Sequence, residues 1–129
     1  MGKLVLIVED SETCAETLLI ALESMPGLEA RVIHSPRAAI AIAWDNSTEV
    51  AAIVTDLHIT EPSRPQTDGF DLIRELRAEP RFAQLPILLI SGDSDPLLPA
   101  RALAQGADAF FPKPYSPSAV RKKLEELLC

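Results

Sequence analysis

Four apolar runs in this sequence end on polar residues whose types suit one chemistry. The run 4–8 leads straight into Glu9 and Asp10, and the run 50–55 into Asp56. The run 86–90 leads into Ser91 and Gly92, and 109–111 into Pro112, Lys113 and Pro114. Brought to one place, they would supply three carboxylates, a hydroxyl and an ammonium. Crowded carboxylates repel one another unless a hard cation sits among them, and Mg²⁺ takes oxygen ligands of this kind. A carboxylate can attack phosphorus and become an aspartyl phosphate. The metal would neutralise one side of the transferring group, while the ammonium and hydroxyl hold its other oxygens. Such a pocket needs no His or Cys.

The residues meet only if the elements carrying them are neighbours. Short β-branched or apolar runs at 4–8, 30–33, 50–55, 86–90 and 109–111 read as five strands. Helical spacing alternates with them. Cys14, Leu18, Leu22 and Met25 share one face of a first helix. Ser35 before Pro36 is an N-cap with Pro at the first helical position, opening a second helix to about Trp44. Phe70, Ile73 and Leu76 mark a third. Asp95 before Pro96 opens a fourth that ends near Gly106, although Pro99 leaves its start open. Ser116 before Pro117 opens the fifth, with Val120, Leu124, Leu127 and Leu128 on its buried side.

Strands alternating with helices imply a parallel sheet covered on both faces. Right-handed crossovers then favour a doubly wound, five-stranded α/β sheet of flavodoxin-like order 2-1-3-4-5. Its carboxyl edge gathers the ends of strands 1, 3, 4 and 5. Pro112 cannot donate to a ladder and fits the fifth strand, which lies at an edge in that order.

Bulk composition agrees. The 129 residues are 47% apolar and 24% charged, with a net charge of −7. The expectation is one soluble domain over 1–129, with no direct nucleic-acid or membrane partner. The longest apolar run, 38–44, is far short of the roughly 20 residues that cross a bilayer. No signal-peptide pattern opens the chain, so the cytoplasm is the expected compartment. Cys14 and Cys129 form neither a disulfide framework nor a metal knuckle.

The ordered set Glu9, Asp10, Asp56, Ser91, Lys113 and Pro114 resembles the receiver family of two-component response regulators, over the whole chain. The stretch 105–114, Gln-Gly-Ala-Asp-Ala-Phe-Phe-Pro-Lys-Pro, is similar to that family's passage from fourth helix to fifth strand. The resemblance implies that Asp56 is the phosphoacceptor and that the donor is a histidine kinase or histidine phosphotransfer protein. Asp10, Asp56 and the backbone carbonyl of His58 would ligate Mg²⁺, with Glu9 acting through a water. Lys113 and Ser91 would take phosphoryl oxygens, and Phe110 would be the switch aromatic that follows Ser91. A downstream protein or effector domain would read the change. The family is not counted as enzymatic. Whether the chain is a stand-alone receiver or part of a longer regulator stays open.

One departure stands out. Asp68 and Gly69 open the third helix only after a stretch about five residues longer than the family's usual one. Arg64, the only cation between Leu57 and Asp68, could make this loop a partial lid over the acyl phosphate, or could simply be solvated.

Taken singly, each residue has an ordinary reading. An Asp after a strand is usually a turn former or helix cap, and Lys113 could be a surface lysine. Cys14 reads as a small core residue. His34 and His58 lack a partner at metal-binding spacing. Two other functions compete. One is a haloacid-dehalogenase-like phosphatase, whose second acid would fall at His58. The other is a receiver-like interaction module that takes no phosphate.

Overall fold

The central strands are apolar on both faces because helices cover both sides of the sheet. The structure is a computed structural model and describes residues 3–45, 47–59 and 67–128. Five strands and five helices alternate: β1 Lys3–Val8, α1 Glu12–Glu23, β2 Leu28–Ile33, α2 Pro36–Trp44, β3 Val50–Asp56, α3 Gly69–Arg77, β4 Ile87–Ser91, α4 Leu98–Gln105, β5 Ala109–Pro112 and α5 Pro117–Leu128. A 3₁₀ turn, Pro80–Phe82, lies between α3 and β4. All strand pairs are parallel, in the order β2-β1-β3-β4-β5. This is the doubly wound arrangement that the sequence predicts, with β5 and its Pro112 at an edge.

Alternate side chains feed two cores. Leu4, Leu6, Val8, Ile53 and Leu89 pack with α2, α3 and α4 on one face. Val5, Ile7, Val54, Leu88 and Ile90 pack with α1 and α5 on the other. Helix starts follow local chemistry. Ser11 accepts from the Cys14 N–H and Ser35 from the Ala38 N–H. Asp68 and Asp71 form a reciprocal capping box at α3.

Three sequence expectations shift. The fourth helix begins at Leu98, not at Pro96. Had Pro96 been the first helical residue, Pro99 would have fallen at the fourth position. There its missing N–H would cost a helix bond and its ring would meet the carbonyl four residues back. Starting at Leu98 places Pro99 in the first turn, where no intrahelical donor is needed. On α1 it is Ala15, not Cys14, that is buried with Leu18 and Leu22, and Cys14 is half-buried. On α5 Leu128 is exposed, while Val120 and Leu124 are fully buried.

An unanticipated hub sits between α3 and β5. The Arg77 guanidinium donates to the Gly106 carbonyl at 2.9 Å, the Phe82 carbonyl at 2.8 Å and Asp108 Oδ2 at 3.1 Å. The same Asp108 oxygen accepts from the Ile87 N–H at 2.8 Å. Gly106 ends α4 at φ +113°, and a Cβ there would lie 2.8 Å from Arg77 Cγ. Gly106→Ala therefore strains the backbone and pushes the hub apart together. Its expected cost is on the order of 2–3 kcal/mol, read as a lower urea midpoint with an unchanged m-value. A midpoint shift within experimental scatter would contradict this account.

Candidate functional site

β1, β3, β4 and β5 end side by side, and their last residues meet at the carboxyl edge of the sheet. Lys113 follows β5, and its N–H donates to the Ser91 carbonyl at 2.8 Å, which keeps its stem beside β4. Its Nζ lies 2.8 Å from Glu9 Oε1 and 2.8 Å from Asp56 Oδ2, bridging the two carboxylates. Glu9 is 1% exposed and Asp56 7%, unusual values for carboxylates. Their remaining oxygens are also held. Glu9 Oε2 accepts the N–H groups of Asp10 and Ser11, and Asp56 Oδ1 accepts the His58 N–H at 3.0 Å.

Electrostatics separate the two acids. Burial pushes the Glu9 carboxyl above the usual glutamate range; Lys113 pulls against this and Asp56 reinforces it. Burial acts the same way on Asp56, but Lys113, Glu9 and the His58 N–H outweigh it, leaving Asp56 below the usual aspartate range. The two carboxyls are thus pushed in opposite directions, Asp56 towards its ionised form. Burial alone would lower the Lys113 pKa, but its two carboxylate partners hold it above the ordinary lysine range.

Ser91 is fully buried at the end of β4, and its Oγ accepts the Asp93 N–H at 3.0 Å. Asp93 in turn meets His58 Nε2 at 3.4 Å. This pair links the segments after β3 and β4 across the mouth of the site. The sequence offered no sign of it, because residues 35 positions apart become neighbours only through the sheet order. Phe110 is half-buried and packs on the α2–α4 side of the sheet. Arg64, the candidate lid residue, lies outside the described residues, as does Cys129.

Gly69 explains how the Asp56 backbone is held beside α3. The Gly69 N–H donates to the Leu57 carbonyl at 2.8 Å. A Cβ on Gly69 would lie 2.6 Å from the Asp56 carbonyl oxygen, so the start of α3 can abut the Asp56 peptide only with glycine.

Of the three carboxylates expected to converge, two do. Asp10 is exposed. Among the described residues no three carboxylate, imidazole or thiol side chains already close on one point as a formed metal centre. The reason is charge: the one ammonium of Lys113 is already shared between Glu9 and Asp56, and burying a third acid beside them would cost its desolvation. The donor set still fits a hard divalent cation. It is all oxygen, the ligand type such a cation takes.

Comparison with known proteins agrees with this geometry. The response regulator receiver domain family matches residues 5–125, and the chain belongs to that family. Chemotaxis protein CheY1 of Helicobacter pylori is 32% identical over 74 residues, covering 57% of this chain and 60% of that protein. The phosphate regulon transcriptional regulatory protein PhoB of Pseudomonas aeruginosa is 28% identical over 128 residues, covering 99% of this chain and 52% of that one. This chain therefore spans only about half to three fifths of the length of these curated relatives. In three dimensions, the signal receiver domain of a signal transduction histidine kinase from Syntrophus aciditrophicus superimposes with a TM-score of 0.80 at 31% identity, covering 98% and 90% of the two chains. Family and fold leave the phosphatase alternative without support.

Proposed function

We propose that Asp56 accepts a phosphoryl group from the phosphohistidine of a histidine kinase or histidine phosphotransfer protein, and that the acyl phosphate alters a protein-binding surface. The observation that carries this reading is the Lys113 ammonium held 2.8 Å from an ionised, nearly buried Asp56 carboxylate. Asp10, Asp56 and the His58 carbonyl would hold Mg²⁺, with Glu9 acting through a water; the cation would neutralise charge on the transferring group. An Asp56 oxygen attacks phosphorus in line, the P–N bond to the donor imidazole breaks, and that imidazole keeps the electron pair. Lys113 then shifts its bond from the carboxylate to a phosphoryl oxygen. Ser91, whose hydroxyl hydrogen is not used by the bond from Asp93, donates to another, and Phe110 follows the movement. Slow hydrolysis restores the starting state. The switch is a shift between two populations, limited by their difference in affinity for the phosphoryl group.

We read residues 1–129 as one receiver unit acting in the cytoplasm; no described helix is long and apolar enough to cross a membrane. Its output would be a partner protein or an effector domain. With acetyl phosphate and Mg²⁺ the chain is expected to gain one base-labile phosphoryl group, which mass spectrometry places on Asp56. Asp10→Asn is expected to weaken Mg²⁺ binding about tenfold or more. A label on serine or histidine would refute the assignment.

A further inference from the structure

Helix α2 turns apolar residues to solvent as well as to the core. Its sequence is Pro-Arg-Ala-Ala-Ile-Ala-Ile-Ala-Trp, in which Arg37 is the one charged residue. Pro36, Ala39, Ile40 and Ala43 are buried. Arg37, Ala41 and Trp44 are exposed, and Ala38 and Ile42 are half-buried beside them. A surface helix ordinarily fills its outer side with charged and polar residues. At 3.6 residues per turn, Ala41 lies at the middle of that outer side, with Arg37 and the C-cap Asp45 about 40° to either flank.

Trp44 is held rather than loose. It is 44% exposed, yet its ring meets the buried Phe82 edge-on with centroids 5.4 Å apart, and the Arg81 guanidinium lies 5.0 Å from its centre. Tryptophan is enriched among the residues that carry binding energy, and a ring already fixed in place loses little freedom on docking.

The two ends of α2 differ in charge. Arg37 in the first turn pairs with Glu75 at 3.5 Å in solvent. Asp45 follows the last turn, where its Oδ1 accepts the N–H and the hydroxyl of Ser47 at 2.9 and 2.8 Å. Ala41 stands midway between Arg37 and Asp45 in the sequence. A second copy lying antiparallel along α2, with the two-fold axis beside Ala41, would bring Arg37 level with Trp44 and Asp45 of that copy, at both ends at once. The Glu75 end of each copy would also meet the Arg81 end of the other. A parallel pairing would instead set Arg37 on Arg37 and Asp45 on Asp45.

We propose that α2 is a self-association face, on which two copies of the chain pair antiparallel with Ala41 against Ala41 and a Trp44 ring closing each end. The small Ala41 side chain lets the two helices approach closely. A helix about 14 Å long, even with its flanks, covers less than the roughly 800 Å² per partner of a standard interface. The pair is therefore weak, with a dissociation constant on the order of 0.1 mM. This inference does not rest on the phosphoacceptor reading.

Sedimentation of the full chain from about 10 µM to about 1 mM reads its mass, and Trp44, the single tryptophan, reads the face. The average mass is expected to rise towards that of a dimer, with Trp44 emission moving to the blue as water leaves the ring. Ala41→Glu sets like charges against each other on the axis, at an exposed position that the fold does not use. It is expected to weaken association at least about tenfold, with the melting temperature of the dilute chain unchanged. Arg37→Asp and Asp45→Arg should each weaken it, whereas the two together should restore it to within about threefold of the parent. A chain still monomeric at the highest concentration would overturn the proposal. Association that ignores Ala41→Glu, or that leaves Trp44 emission unchanged, would overturn it too by placing the contact on another face. A double variant no tighter than either single one would refute the antiparallel pairing.

Discussion

Asp56→Asn is expected to take up no phosphoryl group from acetyl phosphate and Mg²⁺, yet to stay folded with a stability within about 1 kcal/mol of the parent chain. The two outcomes have separate causes. An amide oxygen still accepts the His58 N–H, so the turn after β3 is kept. The new NH₂ group faces Lys113, which loses one of its two partners and keeps Glu9 at 2.8 Å. What disappears is the carboxylate nucleophile itself. Glu9 also loses the neighbouring charge that helps to hold its carboxyl above the ordinary range, so its pKa should fall. Intact-mass measurement beside a thermal melt distinguishes loss of chemistry from loss of fold. A variant that still acquires a base-labile phosphoryl group would place the acceptor elsewhere.

Lys113→Met is expected to damage both chemistry and fold. It leaves two carboxylates facing each other in a site where the Glu9 side chain is 1% exposed and that of Asp56 10%. Removing one member of a buried ion pair costs about 3–5 kcal/mol when the remaining charge has no escape. Here Glu9 can take up a proton and the Lys113 side chain is 23% exposed, so a loss on the order of 2 kcal/mol is expected instead. Phosphoryl uptake should fall by about a hundredfold or more if, as proposed, the ammonium meets the phosphoryl oxygens. Mg²⁺ should raise the melting temperature of the variant more than that of the parent, because the ammonium no longer competes for the same carboxylates. An unchanged uptake rate together with an unchanged Mg²⁺ response would reduce Lys113 to an ordinary surface pair.

The sheet was legible because its signals are local: alternation of elements, Ser35 before Pro36, and strands apolar on both faces. The order of the strands then brought Glu9, Asp56, Ser91 and Lys113 to one edge. What escaped depends on three-dimensional proximity. Gly106, Ala107 and Asp108 stand out in the sequence as a family-like string, but nothing in the string reveals that Asp108 serves Arg77 and the Ile87 N–H. The contact between His58 and Asp93 is hidden for the same reason. The exposure of Asp10 was hidden for a different reason: adjacency in sequence does not reveal that the chain turns between a buried Glu9 and an exposed Asp10.

The two rims of the sheet bear on how this protein meets others. β2 turns Glu29 and Arg31 to solvent on one rim. β5 on the other is four residues long and ends on an exposed Pro112, which has no N–H to offer. Short, charged or proline-terminated borders discourage a foreign strand from zipping on, the usual route to amyloid-like stacking and swapped dimers. With main-chain pairing discouraged at both rims, side chains on helices and loops are the surface left for contacts.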